Sequence, residues 1–207
     1  FVLSGGLALG LSTLIAGPEN ARAYLDALHH VSWQGSNWNA SANGFLTRLL
    51  GGGETPALVS VPLSGAQATL LVWLAMIPVL HDMSRQLPRL PPSHQADFLF
   101  ALTPPAMLLL SPLGWIYYFP MLLLSLLILW QYSANLPGRT TRRLCLLLAI
   151  TMTSLPRDLL PAAEPGDWRG VLLDAGLPTY ALIILLLTGL RMLRDHARYG
   201  SSASAPR

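Results

Sequence analysis

From Phe98 to Trp130 the chain carries no charged residue, and leucine recurs throughout the stretch. A run of that kind does not face water; it is buried in a protein core or in lipid. It is also too long for one helical crossing, because the ~30 Å hydrocarbon layer takes about 20 residues. Ser111-Pro112-Leu113-Gly114 interrupts it, and proline both lacks an amide donor and clashes with the preceding turn of a helix. Two short crossings joined by a tight turn are therefore expected.

Four further apolar regions accompany it: Phe1 to Ala16, Ala66 to Leu80, Leu144 to Leu155 and Leu177 to Leu190. Across the whole chain 52% of residues are hydrophobic and 11% charged, against about 25% charged in soluble domains. These figures exclude intrinsic disorder, a coiled coil and a secreted disulfide scaffold. Cys145 is the single cysteine, so neither an internal disulfide nor a cysteine zinc site is available. The expected fold class is all-α, a polytopic transmembrane helical bundle of about six crossings. Phe1 opens straight into an apolar run without a charged leader, and the chain is expected to be a fragment that lacks its N-terminal part.

The basic residues are all arginine, with a net charge of +3. They lie scattered between apolar runs rather than in the dense patch that phosphate-backbone binding needs, which argues against nucleic acid as a partner. Cytoplasmic loops are enriched in basic residues, and the six-crossing order respects that bias. Arg85 and Arg89, then Arg139, Arg142 and Arg143, then Arg191, Arg194, Arg198 and Arg207 fall on one side. The other side receives Arg22, Arg48, Arg157 and Arg169 with Glu19, Asp26, Glu54, Asp158, Glu164, Asp167 and Asp174. That second side is taken as the outside. The membrane domain is expected over residues 1–193, followed by a disordered cytoplasmic tail over 194–207.

The largest segment between crossings, residues 17–65, faces outward in this scheme. Tyr24, Leu28 and Val31 recur at the spacing of one helical face, which predicts a helix lying along the interface. Trp33 and Trp38 follow, residues suited to headgroup level. A second short helix is expected from about Ser41 to Leu50, stopped by Gly51-Gly52-Gly53.

No P-loop, nucleophile elbow, zinc-protease helix or dinucleotide fingerprint is present. His29 and His30 adjoin, but neighbours on a helix point about 100° apart, so no metal and no cofactor is expected. Asn39-Ala40-Ser41 has the form of a glycosylation sequon, but the lysine-free, arginine-rich composition looks bacterial, and the asparagine is not read as an acceptor. Asp97, Asp158, Asp167 and Asp174 each have a structural explanation as helix entrances or loop residues, and none is read as a catalytic base.

Two groupings carry more chemistry. In Asn39-x-Ser41-x-x-Gly44-x-x-x-Arg48 a helix-capping residue, a small residue and a cation share one short helix. Such a face admits another backbone closely, and Arg48 offers five donors to a phosphate or carboxylate at the outer surface. Its structural alternative is an arginine reaching for lipid headgroups. The second grouping, Ser111-Pro112-Leu113-Gly114-Trp115-Ile116-Tyr117-Tyr118, sits at the outer turn of the long apolar hairpin. There Trp115 or a tyrosine can stack on a sugar face, or serve merely as an interfacial aromatic belt.

Taken in this order and on one side, the two groupings resemble the "N-x-S-x-x-G-x-x-x-R" segment and the "S-P-x-x-W" turn of the family 87 glycosyltransferases, also known as the DUF2029 family, of the GT-C class. The resemblance covers roughly Phe1 to Leu190, as the C-terminal half of such an enzyme. It implies transfer of a hexose, mannose in the studied members, from a polyprenyl-phosphate donor to a lipid or glycan hydroxyl on the outer face, with inversion. It further implies a multi-pass protein of the bacterial cytoplasmic membrane. Asn39, Ser41, Gly44, Arg48, Ser111, Pro112, Trp115, Tyr117 and Tyr118 are the implied substrate and lipid-phosphate residues, with Arg48 stabilising the departing phosphate.

The family's carboxylate base lies in its first outer loop, expected upstream of Phe1, so no catalytic base is assigned here. The chain departs from the family pattern at Tyr117 and Tyr118, where many members have a histidine pair, and at Ala40, where glutamine is frequent. Tyrosine hydrogen-bonds and stacks but does not titrate near neutral pH, so no imidazole role carries over. The alternative expectation is a non-catalytic membrane protein, a transporter or an assembly factor for envelope glycans. Against a transporter stands the lack of an internal repeat.

Overall fold

The computed structural model describes residues 10–11, 13–20, 22–23, 35–36, 38–51, 65–111, 113–154 and 168–203. The chain divides into two compact units, Phe1–Trp33 and Gln34–Arg207. In the first, residues 13–16 and 18–20 are helical. Between them Gly17 has φ 85, a left-handed conformation natural to glycine, and its amide closes the preceding turn on Thr13 O at 2.9 Å. Tyr24, Leu28, Val31, His29, His30 and Trp33 lie outside the described residues.

The second unit holds six α-helices among the described residues: α1 (Ala42–Gly51), α2 (Gly65–Gln86), α3 (Pro92–Leu110), α4 (Leu122–Ser133), α5 (Arg139–Ser154) and α6 (Trp168–Ala203). Short 3-10 turns, Leu87–Arg89 and Ile116–Met121, precede α3 and α4. Among the described residues there is no strand; the chain is all-α, apart from one isolated bridge between Asn39 and Trp115.

The central element is α6, which packs against α1, α2, α3, α4 and α5. Leu182, Leu185, Leu186, Leu190, Leu193 and Ala197 recur along it at spacings of three and four, and all are buried. Facing them are Phe98, Ala101 and Leu102 of α3, Leu129 of α4 and Leu146 of α5. Gly189 lets α6 approach closely, since a Cβ there would meet Leu102 Cδ2 at 2.5 Å and Leu129 Cδ1 at 3.3 Å. Small residues at helix contacts are a device of lipid-embedded bundles, where close backbone packing substitutes for hydrophobic burial.

The break in the long apolar run falls where proline chemistry predicts: α3 ends at Leu110, and the chain resumes as a 3-10 turn at Ile116. Among the described residues two stretches, Ile116–Ser133 and Gly176–Arg198, are long and apolar enough to cross a membrane. These, with leucines exposed around the bundle at Leu70, Leu74, Leu123, Leu127, Leu144 and Leu148, support a membrane protein at that coarse level. The 16 residues of α5 extend only about 24 Å at ~1.5 Å per residue, short of the hydrocarbon layer.

Three boundaries differ from the sequence expectation. The helix α5 begins at Arg139 and so takes in Arg142 and Arg143, which the basic pattern alone assigns to a loop. The helix α2 runs on to Gln86 and carries Asp82 and Arg85. The last helix reaches Ala203, so residues 194–203 are helical where a disordered tail is expected from residue 194. Polar partners explain the extension: Arg194 Nε donates to Asp82 Oδ2 at 2.7 Å, and Arg142 is ion-paired with Asp195.

These pairs also gather one end of the bundle. Tyr132 OH donates to Asp97 Oδ2 at 2.6 Å, and the rings of His94, Tyr132 and His196 pack on one another. Arg143 lies 4.6 Å from the Trp130 ring centre, with Nε donating to Ser133 Oγ. Arginines from the ends of α2, α5 and α6 thus share one end, as their grouping in the sequence predicts.

Candidate functional site

At the other end the two sequence groupings meet. Asn39 is fully buried, and its Oδ1 accepts two amides: that of Ser41 at 3.1 Å and that of Gly114, across 75 residues of sequence, at 2.9 Å. The first bond is an asparagine turn that a short amide side chain makes locally. The second fastens the turn of the apolar hairpin to the segment before α1. Backbone bonds extend the junction, from Ala40 N to Gly114 O at 2.7 Å and from Ile116 N to Trp38 O at 3.0 Å.

Ser41 performs the capping role that its spacing predicts: Oγ accepts the Gly44 amide at 3.0 Å, the third residue of α1. Glycine is required at two positions here. A Cβ on Gly44 would lie 2.6 Å from Asn39 Cγ, and one on Gly114 would lie 2.5 Å from Leu108 O and 3.0 Å from Ser41 Cβ. The close backbone approach expected of this face is made by the chain itself.

Arg48 departs from its expected orientation. It is 1% exposed, and Nη1 donates to Ser36 O at 2.6 Å and to Asn39 O at 2.9 Å. Rather than presenting its donors at the outer surface, the side chain turns back under the junction. The physical reason is local: Asn39 O gains a donor in this way, and Ser36 O, which already accepts the Asn39 amide at 2.9 Å, gains a second; a buried carbonyl without a donor is costly. Arg48 is thus a positioning residue for Asn39.

The exposed part of the junction is aromatic. Trp38 and Tyr117 stack with ring centres 5.7 Å apart and planes inclined by 14°, at 48% and 70% exposure. Tyr118 is exposed beside them, while Trp115 is half-buried and pairs through its backbone with Asn39. Ser111 Oγ accepts the Leu113 amide at 3.3 Å, which shapes the turn. Pro112 lies outside the described residues. The buried Asn39 is not positioned as a glycan acceptor.

Two participants have no signature in the sequence reading. Thr179 of α6 is fully buried, and Oγ1 donates to Ala40 O at 2.9 Å across 139 residues. Asn43, on α1, is 2% exposed and neither Nδ2 nor Oδ1 has a hydrogen-bond partner. A threonine in an apolar helix and a second asparagine four residues after the first were the available signals. Beside the junction, an apolar cavity of about 470 Å³ opens between α1, α2 and α6, with Phe45, Met76 and Ile183 in its walls. Among the described residues no group of three His, Cys, Asp or Glu side chains is arranged to hold a metal.

Fold and site together define a helical bundle in which α1 and the apolar hairpin are tied by a buried polar junction beneath an exposed aromatic pair. Compared with family models, curated proteins and solved structures, the chain matches none.

Proposed function

We propose that the chain is part of a multi-pass glycosyltransferase of the bacterial cytoplasmic membrane, with six crossings and residues 17–65 on the outer face. It transfers a hexose, mannose by resemblance, from a polyprenyl-phosphate donor to a lipid or glycan hydroxyl. The observation that carries this reading is the stacked Trp38 and Tyr117 pair, exposed on a junction held by hydrogen bonds that join Trp38, Asn39 and Ala40 to Gly114 and Ile116. Aromatic faces of this kind offer an apolar surface with polar rims to a sugar ring, and a rigid support makes the contact specific. Arg48 supports the reading indirectly, through Asn39, rather than by touching phosphate.

The test is sugar transfer by the full-length protein in proteoliposomes, with radiolabelled polyprenyl-phosphate mannose as donor. Trp38→Ala with Tyr117→Ala is expected to lower transfer at least ten-fold at unchanged thermal stability. Equal transfer by the double variant, or none by the unaltered protein, removes the reading. The orientation of Arg48 toward its own backbone favours a second reading, a non-catalytic assembly factor for envelope glycans. In that case the unaltered protein binds glycan through the same aromatic pair yet transfers nothing.

A further inference from the structure

The arginine-rich end contains a cleft that the junction does not use. It has a volume of about 250 Å³ and lies between the start of α5 and the middle of α6, walled by Gly138, Thr141, Arg142, Cys145, Thr188 and Arg191. No carboxylate is among its lining residues.

Arg142 is its central feature. The residue is 7% exposed, and only one of its nitrogens, Nη2, is engaged, by Asp195. Nε and Nη1 are buried without any partner. A buried guanidinium normally fills its donors, because each one left unmade forfeits hydration without replacement. Nη1 points toward the cleft wall: a Cβ built on Gly138 would lie 3.8 Å from it. Arg191, on the opposite wall, is exposed and has no carboxylate partner among the described residues.

The start of α5 adds further donors. Gly138, with φ 72, occupies the position before the helix and accepts the Arg142 amide at 3.1 Å. Glycine has no side chain with which to cap the first-turn amides, and Gly138 and Thr141, at either end of that turn, both line the cleft, so the positive end of the helix dipole lies at its rim. No hydrogen bond within the described residues engages the hydroxyl of Thr141 or Thr188. Two arginines, two hydroxyls and a helix start therefore border one cleft. A planar carboxylate meets such donors from one side only, whereas a tetrahedral oxyanion presents acceptors in several directions.

We propose that this cleft binds a phosphoryl group, held by Arg142, Arg191 and the first turn of α5. The group belongs either to the headgroup of an anionic lipid or to free phosphate. Basic pockets between helices at the arginine-rich face of membrane proteins are a recurrent setting for such headgroups. The proposal is independent of sugar transfer. Thr179, which marks the junction, and Arg191 stand 12 residues apart on α6, roughly 18 Å along a helix.

The full chain, purified in neutral detergent, is titrated with phosphatidylglycerol, with phosphatidylcholine and with inorganic phosphate. Native mass spectrometry reads lipid retention, and the thermal midpoint reads phosphate. Phosphatidylglycerol retained over phosphatidylcholine, without a phosphate effect, identifies a lipid headgroup; a midpoint raised by phosphate identifies a site open to the free ion. Arg191→Gln and Arg142→Lys are each expected to weaken binding at least ten-fold, and Arg85→Gln, which removes the same charge outside the cleft, to leave it unchanged. Should Arg142→Lys fail to fold, Arg191→Gln with Thr188→Val carries the comparison. The proposal is overturned if neither probe binds, if the cleft variants bind as the unaltered protein does, or if Arg85→Gln weakens binding equally.

Discussion

A single side-chain oxygen, Asn39 Oδ1, holds the Gly114 amide at 2.9 Å while also closing the turn onto Ser41 at 3.1 Å. Asn39→Ala strips both amides of their acceptor inside a buried site. Each unsatisfied group costs about 1–3 kcal/mol, so the variant is expected to lose about 2 kcal/mol or more of stability. A denaturation midpoint in detergent that does not move would show that the junction is not a stabilising contact.

Gly44→Ala and Gly114→Ala insert a methyl group where Asn39 Cγ and Leu108 O already stand, at 2.6 and 2.5 Å. Each is expected to destabilise by about 1–3 kcal/mol through overpacking. Because both displace partners of one junction, the double variant is expected to lose less than the sum of the singles. A double-mutant cycle on the thermal midpoint measures the coupling, and strict additivity would separate the two glycines.

Arg48→Ala is expected to act on folding. Its removal leaves Ser36 O and Asn39 O without the Nη1 donor, and the folded yield is expected to fall along with the thermal midpoint. Trp38→Ala touches an exposed ring, so its stability is expected to stay within about 0.5 kcal/mol. Transfer normalised to folded protein is the discriminating measurement: Trp38→Ala lowers it, and Arg48→Lys changes it far less than it changes yield.

The two ion pairs at the arginine-rich end are expected to differ in weight. Asp195→Ala leaves Arg142 buried without its one partner, a change of about 3–5 kcal/mol when a buried pair is broken. Asp82→Ala removes a pair whose arginine is half exposed, worth about 0–1 kcal/mol. Chemical denaturation of the two variants side by side gives the comparison, and equal losses would contradict the burial argument.

Asn43 carries both of its amide atoms into the interior without partners. Asn43→Leu, similar in size and apolar, is therefore expected to raise the thermal midpoint. If the midpoint falls instead, the amide has a stabilising partner in solution, and the effect of added sugar or lipid on the midpoint would identify its class.

What the sequence made legible followed from local chemistry. Pro112 within an apolar run announced the break between α3 and the turn at Ile116, and Ser41 three residues before Gly44 announced the cap. The order of the arginines predicted which helix ends gather together. The inward turn of Arg48 was not legible, because a cation's orientation depends on which carbonyls the folded chain brings within its reach. Nor was the bond from Thr179 to Ala40, since contacts across so many residues leave no periodic trace. The reach of α6 past residue 194 was hidden for a similar reason: its small, polar residues resemble a tail until Asp82 and Arg142 are brought alongside.

The bond from Thr179 to Ala40 also sets a schedule. Chains emerge from the ribosome N-terminus first, so Asn39 is made long before Gly114, and Ala40 must wait for the last described helix before its carbonyl finds the threonine hydroxyl. The junction is completed only when α6 arrives, which makes its closure a record that synthesis has passed Thr179. A chain that stops short of α6 is left with an open seam, the kind of defect that quality-control proteases find.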